Sequence, residues 1–127
     1  RMVPLELEQV LLNLLNNSLD SLQAKYKSKE ASGFKDNKRR QLDLTTEVSE
    51  RNGKPWAQIS VYDTGEGIRK SDLVKVLKPF FTTKRPGEGT GLGLTICQQL
   101  IRKYGGDLVL DSKEGAWTKV TVRIPYV

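Results

Sequence analysis

The stretch Leu5–Gln23, LELEQVLLNLLNNSLDSLQ, constrains this chain more than any other. Leu11, Leu15, Leu19 and Leu22 recur at helical spacing, and Leu12 and Leu14 widen the stripe they form, so the periodicity predicts an amphipathic helix with a leucine face. The opposite face is unusual. Gln9, Asn13, Asn17 and Asp20 fall on one stripe, with Asn16 beside it. A solvated helix face normally carries Lys and Glu, whereas Asn costs up to ~0.7 kcal/mol per residue relative to Ala in a helix. A charge-poor amide stripe therefore reads as a wall facing a ligand. Amides and one carboxylate suit a hydrated hard cation or phosphate oxygens better than an apolar molecule.

The rest of the chain punctuates itself. The helix is expected to run from about Leu5 to Tyr26, and SKEASGFKDNKRR (28–40) reads as a long polar loop. QLDLTTEVSE (41–50) and WAQISVY (56–62) both alternate, and Asn52-Gly53 between them predicts an antiparallel hairpin. DTGEGI (63–68) follows as a tight turn. Residues 69–77 are expected to form a short helix with Ser71 as its cap, and KPFFTTKRPGE (78–88), with two prolines, reads as loop. A second helix is predicted from Leu92 to Tyr104, stopped by Gly105-Gly106 as a left-handed cap. Two strands follow, Asp107–Asp111 and Trp117–Ile124, joined by a turn at Lys113–Gly115 and ended by Pro125. The order helix, two strands, lid-like segment, helix, two strands predicts a single α/β two-layer sandwich, with a mixed, mostly antiparallel sheet covered on one face by helices.

Composition narrows the chemistry. An apolar content of 37% and a charged content of 28% over 127 residues describe one soluble globular domain. No apolar run approaches the ~20 residues that span a membrane. One cysteine excludes an internal disulfide, and with no histidine a zinc site is not expected; Cys97 lies in an apolar helical pattern and reads as a small core residue. The absence of histidine also means that no imidazole here serves as base, nucleophile or phosphoacceptor. The net charge of +6 is concentrated between Lys25 and Arg40, a run with only Tyr26 and Phe34 as aromatics. It reads as a solvated loop rather than a nucleic-acid surface.

Two further stretches carry chemistry. Gly87, Gly89, Gly91 and Gly93 run into the second helix, where converging backbone N–H groups and a helix N-terminus suit phosphate. The run lacks the Gly-Lys-Ser/Thr of a P-loop, and Leu92-Gly93-Leu94 breaks a dinucleotide fingerprint. Asp63 closes a strand just before Gly65 and Gly67, where a carboxylate can accept from an exocyclic amine.

Together these residues resemble the ATP-binding catalytic domain of a sensor histidine kinase, in the superfamily of gyrase-type ATPases, mismatch-repair proteins and heat-shock chaperones. EQVLLNLLNNS (8–18) resembles the N box, Asp63-x-Gly65-x-Gly67 the G1 box, PFFTTK (79–84) the F box and GTGLGL (89–94) the G2 box, in the family's order over nearly the whole chain. The FFTTK form is similar to the nitrogen-regulatory and dicarboxylate-sensing branch.

The resemblance implies a Bergerat-type fold that binds ATP and Mg2+. Asn17 is expected to hold Mg2+, and Asn13 the phosphates or the metal shell. Asp63 is expected to take the adenine amino group, with Gly65, Gly67 and Ile68 beside it and Gly67 letting the base lie close. Gly89, Thr90, Gly91, Leu92, Gly93 and Leu94 are expected to hold the phosphates. Residues 69–88 would form an ATP lid in which Phe80 and Phe81 are anchors, Thr82 and Thr83 line the nucleotide, and Lys84 offsets phosphate charge. Asp20 is also placed at the nucleotide, although many such kinases carry Lys there.

The expected reaction is transfer of the γ-phosphoryl group to a histidine on a separate dimerisation domain of the same homodimeric protein, and from there to a response regulator. The expected location is cytoplasmic, with no nucleic-acid or direct membrane contact by this domain and with the parent protein either anchored or not. The family's helical hairpin, with its phosphoacceptor histidine, is expected to precede Arg1. An ATP hydrolase of the same superfamily and an ATP-binding regulator, such as an anti-sigma-type kinase or a degenerate pseudokinase, are the alternatives. Asn13 stands where hydrolases of the resembling superfamily hold a water-activating Glu.

Overall fold

The computed structural model describes residues 4–31, 40–73, 75 and 93–125. Helix α1 (Pro4–Ala31) is followed by β1 (Leu42–Arg51), β2 (Lys54–Asp63) and a 3-10 turn (Lys70–Asp72). Then come α2 (Gly93–Lys103), β3 (Asp107–Lys113) and β4 (Trp117–Pro125). The four strands form one sheet in the order β1-β2-β4-β3, with α1 and α2 on one face, which bears out the two-layer sandwich. Every ladder among the described residues is antiparallel, so the parallel component implied by a mixed sheet is absent from them.

Local chemistry explains the element boundaries. Asn52 and Gly53 both take positive φ (52° and 77°), the geometry of a two-residue hairpin turn that matches strand twist. Strand β2 starts two residues earlier than expected and passes through Pro55, which pairs with Glu50. Next to a two-residue turn that pair is the one without mutual hydrogen bonds, so the missing proline N–H costs β1 nothing. Helix α1 starts at Pro4, where a missing N–H is harmless. It continues to Ala31, five residues past the expected end, because Ala24-Lys25-Tyr26-Lys27 and Lys29-Glu30-Ala31 are mostly good helix formers. Of the short helix expected over 69–77, the described residues hold one 3-10 turn. The loop expected over 78–88 lies outside the described residues.

Helix α2 ends as the paired glycines predict. Gly105 has φ +81° and its N–H bonds to the Arg102 carbonyl, while the Gly106 N–H bonds to that of Ile101. This pattern satisfies two of the orphan carbonyls at the helix end.

The core lies between the helices and the inner face of the sheet. Val10 and Leu14 of α1 and Cys97 and Ile101 of α2 meet Val61, Val120, Val122 and Ile124. Cys97 is fully buried, as expected for a small core residue. Strand register places Val61, Val120 and Leu110 in one cross-sheet row and Ile59, Val122 and Leu108 in the next, all turned toward the helices.

The leucine face of α1 differs from expectation. The line pressed on the sheet is Val10, Leu14 and Ser18, all under 5% exposed, with Leu11, Leu15 and Leu22 only half-buried on its flank. Leu5, Leu12 and Leu19 face solvent, at 74%, 58% and 48% exposure. The helix is rotated toward its amide stripe because α2 packs on that side, so the amides form a flank rather than the opposite face. Asn13, Asn17 and Asp20 are half-buried there, while Gln9 and Asn16 are exposed.

Candidate nucleotide site at the end of β2

Asp63 is the last residue of β2 and is 2% exposed. Its Oδ1 accepts the Gly65 N–H at 2.9 Å, closing a tight turn on itself. The Ser18 and Ser21 hydroxyls of α1 and the Lys25 ammonium lie near enough to its carboxylate to favour its charge. Burial outweighs these effects and holds the Asp63 carboxyl above its ordinary pKa of 3.8. Glu66 lies beside it; burial of its carboxyl group and then the Asp63 charge raise its pKa as well.

The turn after Asp63 is fastened on three sides. Toward α1, Lys25 Nζ donates to the Thr64 carbonyl at 3.0 Å, and the Glu66 N–H donates to Ser21 Oγ at 3.0 Å. Toward the entry of β1, Thr64 and Gln41 exchange bonds, Gln41 N–H to Thr64 Oγ1 at 2.9 Å and Thr64 N–H to the Gln41 carbonyl at 3.0 Å. Toward the β3–β4 hairpin, the Ile68 N–H donates to Ser112 Oγ at 2.8 Å and the Gly115 N–H to the Glu66 carbonyl at 2.7 Å. Ser112 in turn donates to the Trp117 carbonyl.

The two glycines have an intramolecular reason. A Cβ on Gly65 would stand 2.2 Å from Ser21 Oγ. One on Gly67, whose φ is +69°, would stand 2.2 Å from the Lys113 carbonyl oxygen. The close approach that Gly67 permits here is to the chain's own hairpin; close approach of a base is a separate role.

The remaining expected site residues divide into three groups. Asn17 and Asp20 lie half-buried on the α2 side of α1. Asn13 is half-buried on α1 and lies near enough to the Cys97 thiol of α2 to favour its charged form. Cys97 Sγ also reaches the Val10 carbonyl, and burial pushes the thiol up to about 11. Gly93 opens α2, and Leu94 is half-buried against the core. Phe81, Thr82, Thr83, Lys84, Gly89, Thr90, Gly91 and Leu92 lie outside the described residues, as does Phe80.

Sequence reasoning missed Ser21, Lys25, Thr64 and Ser112 as supports of Asp63 and its turn. Part of the signal was present, because Ser18, Ser21 and Lys25 share one helical stripe. What they face depends on where β2 ends. Ser112 carried no sequence signal.

The donors present can accommodate Mg2+. Mg2+ takes few protein oxygens and keeps substrate phosphates and waters. The amide oxygens of Asn17 and Asn13 fit that pattern, and among the described residues no cluster of three or more His, Cys, Asp or Glu side chains offers an alternative cage. No helix of the described residues is long and apolar enough to cross a membrane.

Comparison with known proteins identifies the family and the fold. The profile of the family described as "Histidine kinase-, DNA gyrase B-, and HSP90-like ATPase" matches residues 2–127. The two-component sensor PprA of Pseudomonas aeruginosa is 36% identical over 120 residues, which cover 94% of this chain and 12% of that protein. Sporulation kinase D of Bacillus subtilis is 33% identical over 119 residues, covering 94% of this chain and 20% of that protein. The chain thus spans about an eighth to a fifth of the length of these two relatives. Among solved structures, the nucleotide-free catalytic domain of the histidine kinase ThkA superposes with a TM-score of 0.70 at 26% identity, over 98% of this chain and 68% of that one. Full-length ShkA, solved with AMPPNP, shares the fold with a TM-score of 0.68 at 22% identity, over 96% of this chain and 22% of that one. A buried strand-end aspartate braced by an asparagine-bearing helix thus sits in a chain matched almost end to end by one profile, and this chain belongs to the histidine kinase-, DNA gyrase B- and HSP90-like ATPase family, as a catalytic domain of the histidine-kinase type.

Proposed function

We propose that this domain binds Mg-ATP and donates its γ-phosphoryl group to a histidine on a separate dimerisation domain of the same protein, as one step of two-component signalling. The observation that carries the reading is Asp63: a carboxylate at 2% exposure, held at the end of β2 by a turn fastened to three elements. Such a group is costly to bury, and its use is to accept a hydrogen bond from a ligand amine where water is excluded. Adenine presents that amine. Asn17 and Asn13 would supply neutral oxygen donors to the metal and the phosphates. Gly89, Thr90, Gly91, Leu92 and Gly93 would add backbone N–H groups, and residues 69–88, with Phe81, Thr82, Thr83 and Lys84, would close over the nucleotide as a lid.

In the transfer a histidine nitrogen attacks the γ-phosphorus in line. The bond to the bridging oxygen breaks and ADP leaves with its electron pair; Mg2+, which Asn17 and Asn13 would hold, would supply neutralisation of the phosphate charge. The acceptor histidine is external, since this chain has none. A hydrolase reading is weaker at Asn13, because an amide cannot take a proton from water near neutral pH. The names of the relatives, a two-component sensor and a sporulation kinase, favour the same choice.

The test has two arms. Calorimetric titration with ATP, with and without Mg2+, should give binding that Asp63→Ala removes. Mixing the domain with a histidine-bearing helical hairpin of the parent protein should give phosphohistidine, and Asn17→Ala should abolish it. Rapid ATP turnover by the isolated chain, persisting in Asn13→Ala, would refute the kinase reading.

A further inference from the structure

Ser21 and Lys25 lie one helical turn apart on α1, beyond Asn13 and Asn17 and on the Asp63 side of the helix. Each holds a backbone group of the turn after Asp63. The Glu66 N–H donates to Ser21 Oγ, and Lys25 Nζ donates to the Thr64 carbonyl, both at 3.0 Å. Thr64 is itself pinned by its two bonds with Gln41, so the half-buried ammonium is anchored beside the Asp63–Thr64 peptide. Because Ser21 Oγ accepts from Glu66, its O–H points away from that bond and is left to donate, with the Asp63 carboxylate close by. Gly65 is pressed between the two groups: a Cβ there would stand 2.2 Å from Ser21 Oγ and 2.8 Å from Asp63 Oδ1.

We infer that Ser21 and Lys25 are positioning residues that keep Asp63 an acceptor, and that through it they give the site its preference for an amino over an oxo purine nucleotide. The inference rests on Asp63 as the acceptor for the adenine amine. An ionised carboxylate only accepts, which suits that amine; a neutral carboxyl also donates, which suits the oxo group of hypoxanthine or guanine. Burial favours the neutral form of Asp63, and the Gly65 N–H, the Ser18 and Ser21 hydroxyls and the Lys25 ammonium oppose it. The Gly65 bond belongs to the turn's own backbone, whereas Ser21 and Lys25 act on both the carboxylate and the turn that aims it. The surrounding charges leave this task to α1. Glu66, on the turn, repels the Asp63 charge. Strands β1 and β4 set uncharged Leu42 and Thr118 beside Asp63 in register, and the Arg40 guanidinium lies over the Tyr26 ring, 4.4 Å from its centre.

Calorimetric titration of the full chain with ADP and with inosine diphosphate, in which an oxo group replaces the amine, tests it across about pH 5–8 at fixed Mg2+. The chain has no histidine to titrate in that window, and the ratio of the two affinities cancels the titration of the nucleotide phosphate. Wild type should prefer ADP, with the preference falling only on the acid side. In the double variant Ser21→Ala with Lys25→Met the midpoint of that fall should move up by about one pH unit, and the ADP preference below it should drop several-fold. Lys25→Arg should keep the wild-type profile, and the shift should persist when Glu66→Gln removes the other raised carboxyl. If the double variant does not fold, Lys25→Met alone carries the test, since it keeps the aliphatic stem and should give a smaller shift of the same sign. A midpoint that does not move in a wild type and variant that both bind ADP would overturn the inference and leave the nucleotide reading intact. Equal losses of both nucleotides at every pH would overturn it too, and would make the two residues a brace of the turn alone. A wild type that binds neither nucleotide would overturn both readings.

Discussion

Replacing Gly67 by alanine separates two penalties that usually arrive together. Gly67 has φ +69°, and Gly53, in the β1–β2 turn, has φ +77°. Each Gly→Ala change therefore pays for a left-handed backbone, about 1–2 kcal/mol. Their surroundings differ. Around Gly53 nothing lies within 4 Å of a new Cβ, whereas at Gly67 the Cβ meets the Lys113 carbonyl oxygen at 2.2 Å, its carbon at 2.9 Å and Glu114 Cα at 3.0 Å. These are backbone atoms and cannot rotate away. The β3–β4 hairpin would have to withdraw by most of an ångström, straining the bonds from Ile68 to Ser112 and from Gly115 to Glu66. Overpacking adds about 1–3 kcal/mol, and weakening those bonds adds about 1 kcal/mol more. Gly67→Ala should thus cost about 3–6 kcal/mol against about 1–2 kcal/mol for Gly53→Ala. For a domain of this size that is a fall in Tm of roughly 10–25 °C against roughly 3–8 °C. Urea unfolding followed by circular dichroism gives both values. Losses equal within about 0.5 kcal/mol would show that the hairpin is not pressed on the turn and would refute the packing argument.

Four further perturbations test other contacts of the fold. Because burial holds the Asp63 carboxyl above 3.8, folding disfavours its charged form, a cost absent below 3.8 and incurred as pH rises through the raised value. Asp63→Asn should then gain stability on wild type between acid and neutral melts, yet lose about 5- to 150-fold in ATP affinity; no relative gain with pH would contradict the burial effect. The Cys97 thiol, fully buried and pushed up to about 11, should resist a thiol reagent in native protein at neutral pH and react on unfolding, and rapid native labelling would contradict its placement. Tyr104 donates its hydroxyl to Glu6, joining the end of α2 to the start of α1, so Tyr104→Phe should cost about 1–3 kcal/mol. Lys103→Ala, which removes an exposed 3.5 Å ion pair to the same Glu6 and a cation contact 5.4 Å from the Tyr104 ring centre, should cost under about 1.5 kcal/mol by the same urea titration.

The sequence by itself determined the elements and their order, because their signals are local. Asn52-Gly53 dictates a hairpin through φ, Gly105-Gly106 ends α2 through its cap, and alternation in 56–62 and 117–124 selects strands. It also marked Asn13 and Asn17, poor helix formers on one stripe, and, in combination with that stripe and the glycine-rich stretch, Asp63 before Gly65 and Gly67. What it could not determine is which side of α1 meets the sheet. Leucine density pointed to Leu11, Leu15, Leu19 and Leu22, widened by Leu12 and Leu14; of these only Leu14 is buried, beside Val10 and Ser18, because the orientation of a helix depends on what packs beside it and α2 takes the amide flank. Tertiary structure alone placed Ser18, Ser21 and Lys25 around Asp63 and its turn, and set Ser112 beneath Ile68 from 44 residues away. It also changed the meaning of Gly67. In the sequence that glycine reads as room for a ligand; in the fold it is room for the Lys113 carbonyl, a neighbour that exists only once β3 and β4 have paired and turned back onto the end of β2.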